Sequence, residues 1–147
     1  MSITLDLDSP SDDISFDGLV RIPTPDGSEL LVPFTFRYRN REEVAEVFDE
    51  FIARDRARAA QREQQADAAR AAEDHPDDKT LKQYAIEATQ RDVEATLRIA
   101  KGWGVEGREF GAEQLTKFFR RYPGAYAQIV THWRLSLTEG RLGNSAT

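Results

Sequence analysis

The spacing of hydrophobic and polar residues changes near residue 40. Before that point large apolar residues recur at every second position, and the opposite face is mixed. The large apolar residues that share one face are Leu30, Val32, Phe34, Phe36 and Tyr38. A period of two predicts a half-buried β-strand. A Pro-Asp-Gly turn at 25–27 separates this strand from a second apolar stretch, as in a tight hairpin. We therefore predict a β-hairpin over 16–39, which must pack on a helix, a third strand or a partner because two strands alone are marginal.

From residue 40 the apolar residues recur at helical spacing. Asn40 and Glu43 are typical of a helix N-cap, and an apolar stripe follows as far as Ile52. Residues 53–74 are strong helix formers with no side chain larger than alanine on an apolar face, so we expect a helix with little burial. His75 and Pro76 interrupt it, which predicts a helical hairpin over 40–101 with a polar tip near 75–78.

The last third of the chain predicts a pair of shorter helices over 102–140. A glycine-rich turn containing Gly102, Trp103 and Gly104 precedes a helix at about 112–121. A second helix is expected to start at Pro123 and Gly124, because proline lacks an amide hydrogen that the first helical turn does not use. The predicted fold is α+β and mainly α, with a single domain at 16–144, a flexible acidic arm at 1–15 and a loose tail at 141–147.

Charge and composition narrow the function. The chain has 147 residues and a net charge of -6, with seven acids and one base among residues 1–29 and equal numbers in the remainder. Without a basic excess, nucleic-acid binding is not expected. The apolar runs are a few residues long, too short to span a membrane, and the acidic start does not resemble a secretory signal. We therefore expect a cytoplasmic protein.

The motifs that suggest chemistry all lack the required context. The chain has no cysteine and two histidines, which argues against structural zinc. The GxGxxG pattern at 102–107 follows a predicted helix instead of a strand, so it indicates a helix cap and turn. Acids in the segment 6–17 have the spacing of a calcium loop, but a proline and a serine occupy positions that need a ligand and a glycine. His132 lacks an acid one helical turn away and is assigned to a surface or half-buried site. We predict no catalytic residue, metal site or cofactor, and no enzyme.

Aromatic residues are the remaining candidates for a functional surface. Phe118 and Phe119 are adjacent and cannot point the same way on a helix, so apolar groups are expected on more than one side of it. An exposed apolar patch commonly marks a partner surface, although core packing is the alternative for each residue. The aromatic set predicted to bind a partner is Phe48, Phe51, Phe118, Phe119, Tyr122, Tyr126 and Trp133.

The C-terminal third resembles the tail assembly chaperones of long-tailed bacteriophages and prophages, and the N-terminal hairpin resembles them too. The residues that carry the resemblance are Trp103, Phe110, Glu113, Leu115, Tyr122, Pro123, Gly124, Ala125, Ile129 and the segment 141–144. The resemblance implies a non-enzymatic, ATP-independent chaperone that coats the tape measure protein in the bacterial host cytoplasm and is absent from the mature virion. It also implies self-association, with tail tube subunits as a second candidate partner.

Two other functions fit the same composition. The first is a structural minor tail or virion component, which differs from a chaperone by its presence in purified particles. The second is a small helical interaction or regulatory module unrelated to tails.

Overall fold

The structure is a computed structural model that describes residues 2–71 and 80–139. It confirms a mainly helical α+β fold that begins with a β-hairpin. A short 3-10 turn, Ser11–Asp13, comes first. The strands and helices that follow are β1 (Ser15–Pro23), β2 (Glu29–Arg37), α1 (Arg41–Ala71), α2 (Leu81–Ile99), β3 (Ala100–Trp103), α3 (Ala112–Arg121) and α4 (Ala125–Thr138).

The three strands form one antiparallel sheet in the order β1-β2-β3. In the hairpin, Gly27 adopts a φ of 85°, a conformation that glycine takes without steric cost. The third strand runs beside the far half of β2, where Phe34 pairs with Trp103. The third strand extends the sheet at its edge, and α4 packs on the hairpin, so two of the three expected solutions are present.

The third strand corrects the prediction for residues 100–103. Sequence analysis placed Gly102 and Trp103 in a turn after a helix that ran to residue 101, but α2 ends at Ile99 and both residues belong to β3. The turn comes later, at Gly107, which adopts a φ of 73°. The physical reason is the open edge of β2, whose backbone groups need partners that only a distant segment can provide.

The core lies between the sheet and the helices that cover it. α4 packs on β1, and its Trp133 is fully buried with its indole N–H donating to the Arg37 carbonyl at 2.9 Å. The Phe48 ring of α1 lies 6.1 Å from the Trp133 ring, which joins the base of the helical hairpin to the core. Other large side chains that are fully buried are Phe34, Phe36, Ile22, Ile99, Leu115 and Ile129.

The helical hairpin changes character along its length. Val44 and Val47 of α1 and Val93 of α2 are buried at its base, whereas Ile52 is 49% exposed. Farther out the two helices are joined by ion pairs, including one of 3.0 Å between Arg58 and Glu94. The predicted tip at 75–78 and the tail at 141–147 lie outside the described residues.

Helix ends follow local signals, with small differences from prediction. The backbone N–H of Glu43 and the Asn40 side chain are 2.9 Å apart, and the reverse bond from the Asn40 N–H to the Glu43 carboxylate is also present. Thr80 caps α2, and Gln83 completes the capping box. α4 begins at Ala125, two residues after Pro123, with Gly124 at its N-cap.

Candidate functional site

An open groove of about 430 Å³ lies where the sheet meets α3. Its walls come from three elements: the first half of β2, the segment from the end of β3 to the start of α3, and α3 itself. The residues that line it are Leu30, Val32, Trp103, Val105, Arg108, Gln114, Lys117, Phe118, Arg121 and Tyr122. We call this feature the groove throughout.

Trp103 organises one wall of the groove. The pairing of β3 with β2 places its ring 6.0 Å from Phe34, and the rings of Phe110 and Phe118 lie 5.7 and 5.5 Å away. Its indole N–H donates to the Arg108 carbonyl at 2.8 Å, so its polar end is satisfied and holds the following loop. Such edge and tilted ring contacts add stability beyond the area they bury.

The close approach of the β3 extension to β2 depends on Gly104. Its N–H donates to the Pro33 carbonyl at 2.8 Å, which continues the ladder for one residue beyond β3. A Cβ added at Gly104 would lie 2.8 Å from the Cγ of Pro33, closer than such atoms normally approach. Glycine is therefore required here by space, whereas the sequence analysis assigned it only to a turn.

Helix α3 contributes the opposite wall through residues one turn apart. Phe118 and Tyr122 line the groove with their rings nearly perpendicular and 5.5 Å apart. Phe119 points to the other side, where it is 4% exposed in the core. The adjacent phenylalanines thus serve different surfaces, as the helical geometry requires.

The groove has an apolar floor and a cationic rim. Lys117 and Arg121 lie one helical turn apart on α3 and are exposed, and Arg108 of the preceding loop lines the same groove. Arg108 donates to the Gln114 side chain at 3.1 Å, and Lys117 forms a 3.7 Å ion pair with Glu113. Within the described part of the chain, no carboxylate pairs with Arg121. The groove is thus suited to an apolar segment that carries acids beside its apolar residues.

The seven predicted aromatic residues do not form one surface. Phe118 and Tyr122 line the groove, whereas Phe119 and Trp133 are buried and cannot offer side-chain surface to a partner in this conformation. Phe48, Phe51 and Tyr126 are half-buried at the base of the helical hairpin. Partner binding by these residues stays a prediction, and the structure gives the geometry for it at Phe118 and Tyr122.

A second, more polar hollow lies between α1, α2 and α4. It has a volume of about 190 Å³ and includes Phe51, Arg91 and Tyr126. Burial, followed by the charge of Asp92, raises the pKa of Tyr126 to about 12, so this hydroxyl stays protonated at neutral pH. Ionised side chains line much of this hollow, which makes it a poorer apolar receptor than the groove.

Several groove residues were not predicted to be functional. Leu30 and Val32 were assigned only to the apolar face of the hairpin, and the rim cations Arg108, Lys117 and Arg121 were not selected at all. The four-residue spacing of Lys117 and Arg121 is a signal that could have grouped them. Nothing local indicates that Leu30 lies beside α3.

His132 is more buried than expected. The sequence analysis assigned it to a surface or half-buried site, but it is 5% exposed and its ring stacks on Phe36 at 5.8 Å. Burial holds the pKa of His132 below its ordinary value. Its Nε2 has no hydrogen-bond partner among the described residues, and a Cβ added at Gly18 would meet that atom at 2.6 Å.

Within residues 2–71 and 80–139, no three histidine or acidic side chains are grouped to hold a metal ion. In the same ranges, every helix is too short or too polar to cross a bilayer.

The sequence profile described as phage tail assembly chaperone matches residues 1–144. The chain belongs to the phage tail assembly chaperone family. The resemblance in the C-terminal third is therefore confirmed, and the match extends over the β-hairpin and the helical hairpin of this chaperone. Comparisons with curated proteins and with solved structures gave no significant match.

Proposed function

We propose that this chaperone binds apolar helical segments of the tape measure protein in its groove and keeps that protein soluble until the tail tube polymerises. The observation that carries the proposal is the groove itself, an exposed apolar hollow of about 430 Å³ with a rim of three cations. The chaperone acts without catalysis in the host cytoplasm, recruits tail tube subunits as a second partner, and leaves before the virion is complete.

The size of the groove favours a weak contact at each copy. Burying one large apolar side chain contributes about 1.5–3 kcal/mol, while association costs at least about 4 kcal/mol in lost motion. A groove that accepts two or three side chains therefore binds weakly when it acts alone. Many copies along one long client gain strength through multivalency and can still be displaced one by one.

Co-expression with the tape measure protein of the same phage tests the proposal. Capture through a tag on the chaperone, followed by light scattering, should yield a soluble complex with many chaperone copies per client. The double variant Lys117→Glu/Arg121→Glu should lose the client, because it reverses the rim charge at exposed positions. Arg120→Glu is the matched control, since it changes an exposed arginine of α3 outside the groove.

The possible outcomes separate the candidate functions. Equal client recovery with the rim variant and its control would contradict the groove as the binding site. An insoluble client together with this chain in purified virions would instead indicate a structural virion component. Unfolding curves of each variant check that a lost complex does not reflect a lost fold.

A further inference from the structure

The N-terminal arm carries apolar side chains that no part of the described chain covers. Ile3, Leu5 and Leu7 are 78%, 64% and 80% exposed, and they alternate with Thr4, Asp6 and Asp8. In an extended segment this alternation puts the three apolar side chains on one side and the polar ones on the other. Residues 2–10 form neither helix nor strand in the structure. The arm is therefore an amphipathic segment that has no partner strand among the described residues.

The groove complements this arm in shape and in charge. Its lining includes the apolar side chains of Leu30, Val32 and Phe118. Its rim is cationic, whereas the arm is acidic. The chain concentrates its net negative charge in its first 29 residues, so the arm has the sign that the rim attracts.

The edge of β2 above the groove is open. The Thr24 N–H bonds to the Ser28 carbonyl and the Tyr38 N–H to the Ile14 carbonyl, which identifies even-numbered residues of β2 as those bonded to β1. The Pro33 carbonyl, at an odd position, accepts from Gly104 on the other side. The pairing with β3 ends there. Leu31 is the next odd-numbered residue, so its N–H and carbonyl point away from β1 at a part of β2 that β3 does not cover. Such an edge accepts an added strand.

We propose that the arm of a second copy docks in the groove beside Leu31, with its apolar side toward the lining and its acidic side toward the cationic rim. Ile3, Leu5 and Leu7 then face the apolar floor, and Asp6 and Asp8 lie within reach of Lys117 and Arg121. Each copy offers one arm and one groove, so the contact joins copies either as a reciprocal pair or in a chain. The proposal does not rest on the proposed function, because its tests use the chaperone alone; both contacts use the groove, so the arm and the client would compete for it.

The length of the arm favours a second copy over the same chain. Ser11 is held at the far end of the sheet, where its hydroxyl donates to Glu43. Val32 is six residues along β2 from Tyr38, which corresponds to about 20 Å. Leu7 is four residues before Ser11, and four extended steps span only about 13 Å. Leu7 therefore falls short of the groove of its own chain.

A charge-exchange experiment tests the contact in full-length protein. One variant carries Asp6→Lys and Asp8→Lys, and the other carries Lys117→Glu and Arg121→Glu; all four positions are exposed. Each variant alone brings like charges together and should associate roughly tenfold more weakly than the natural chain in sedimentation analysis. An equimolar mixture should recover association, because both arm-to-groove contacts then join opposite charges. A mixture that stays as weak as the separate variants would overturn the proposal, and so would a monomeric natural chain.

Cysteine pairing locates the contact, since the natural chain has no cysteine. Leu5→Cys mixed with Lys117→Cys should form a disulfide between chains under mild oxidation. Leu5→Cys mixed with Ala59→Cys, an exposed position on α1, is the control and should form far less. Equal yields in the two mixtures would contradict docking in the groove. A Leu5→Cys/Lys117→Cys double variant that closes within one chain at high dilution would contradict the exchange between copies.

Discussion

The two ends of this chaperone are stabilised by different forces. At one end the sheet, α3 and α4 bury large side chains such as Phe34 and Trp133. At the other end α1 and α2 extend beyond Ile52 with mostly exposed side chains, joined by ion pairs such as those of Glu94 with Arg54 and Arg58. One chain thus combines a core stabilised by burial with a helical arm, the part of α1 and α2 beyond Ile52, which is stabilised by helix propensity and charge.

The difference in energy between these forces is large. Each fully buried apolar side chain contributes about 1.5–3 kcal/mol, whereas an exposed ion pair contributes about 0–1 kcal/mol. Stability is therefore concentrated where the groove lies, and the helical arm adds length at little gain in stability. The groove is preorganised because its walls belong to the core, which lowers the entropy lost on binding.

The strongest test of this comparison is a cavity in the core. We expect Trp133→Ala to lower the free energy of unfolding by about 3–5 kcal/mol, because it empties a fully buried site and leaves the Arg37 carbonyl without its donor. Leu81→Ala, at a position 87% exposed on the helical arm, is the control and should change stability by less than about 0.5 kcal/mol. Urea unfolding measures both, and similar losses would contradict a division between the two ends.

A smaller effect is expected from overfilling the same core. Gly18→Ala places a Cβ 2.6 Å from the His132 Nε2 and 2.8 Å from the Phe36 ring. Because both neighbours are buried, we expect a loss of about 1–3 kcal/mol. Gly111→Ala is a suitable comparison, since a Cβ there meets no atom within 4 Å. Thermal and urea unfolding should separate the two variants, and equal stability would show that α4 moves away from β1 easily.

The buried His132 makes core stability depend on pH. Burial holds its pKa in the native state below the ordinary 6.5, so the unfolded chain takes up a proton first as the pH falls. The free energy of unfolding should be constant above the ordinary pKa and fall as the pH drops from there toward the native pKa. Unfolding at about pH 7.5 and about pH 5 tests this window, and His132→Gln should reduce the difference. A natural chain whose stability does not change between these conditions would contradict the expectation.

The smallest effect is expected on the helical arm. Glu94→Ala removes ion pairs with Arg58 and Arg54 at 3.0 and 3.9 Å, but its side chain is 53% exposed and solvent screens both pairs. We expect a loss below about 1 kcal/mol that disappears in about 1 M salt. A double-mutant cycle with Arg58→Ala measures the coupling. A coupling energy as large as the Trp133→Ala effect would mean that charge and burial contribute equally to the two ends.

Part of the candidate site could be predicted from the sequence. The shared face of Leu30 and Val32 and the opposed directions of Phe118 and Phe119 follow from strand and helix periods. The strand position of Trp103 was missed because the glycines around it are typical of a turn, whereas the unpaired edge of β2 favours a strand. Similarly, Trp133 and Phe119 entered the predicted surface because an aromatic residue has the same local pattern whether a core or a partner covers it.

Local periodicity and turn chemistry determined the hairpin, the start of α1, the low burial of its outer part and the order of the elements other than β3. The sequence by itself also indicated the family, through residues in turns and in the core. Only the tertiary structure decided which edge β3 covers and how the aromatic residues divide between core and groove. It also decided that Arg108 lines the groove together with Lys117 and Arg121. These features join segments far apart in the chain, and the energy of such contacts depends on spatial neighbours that no local pattern specifies.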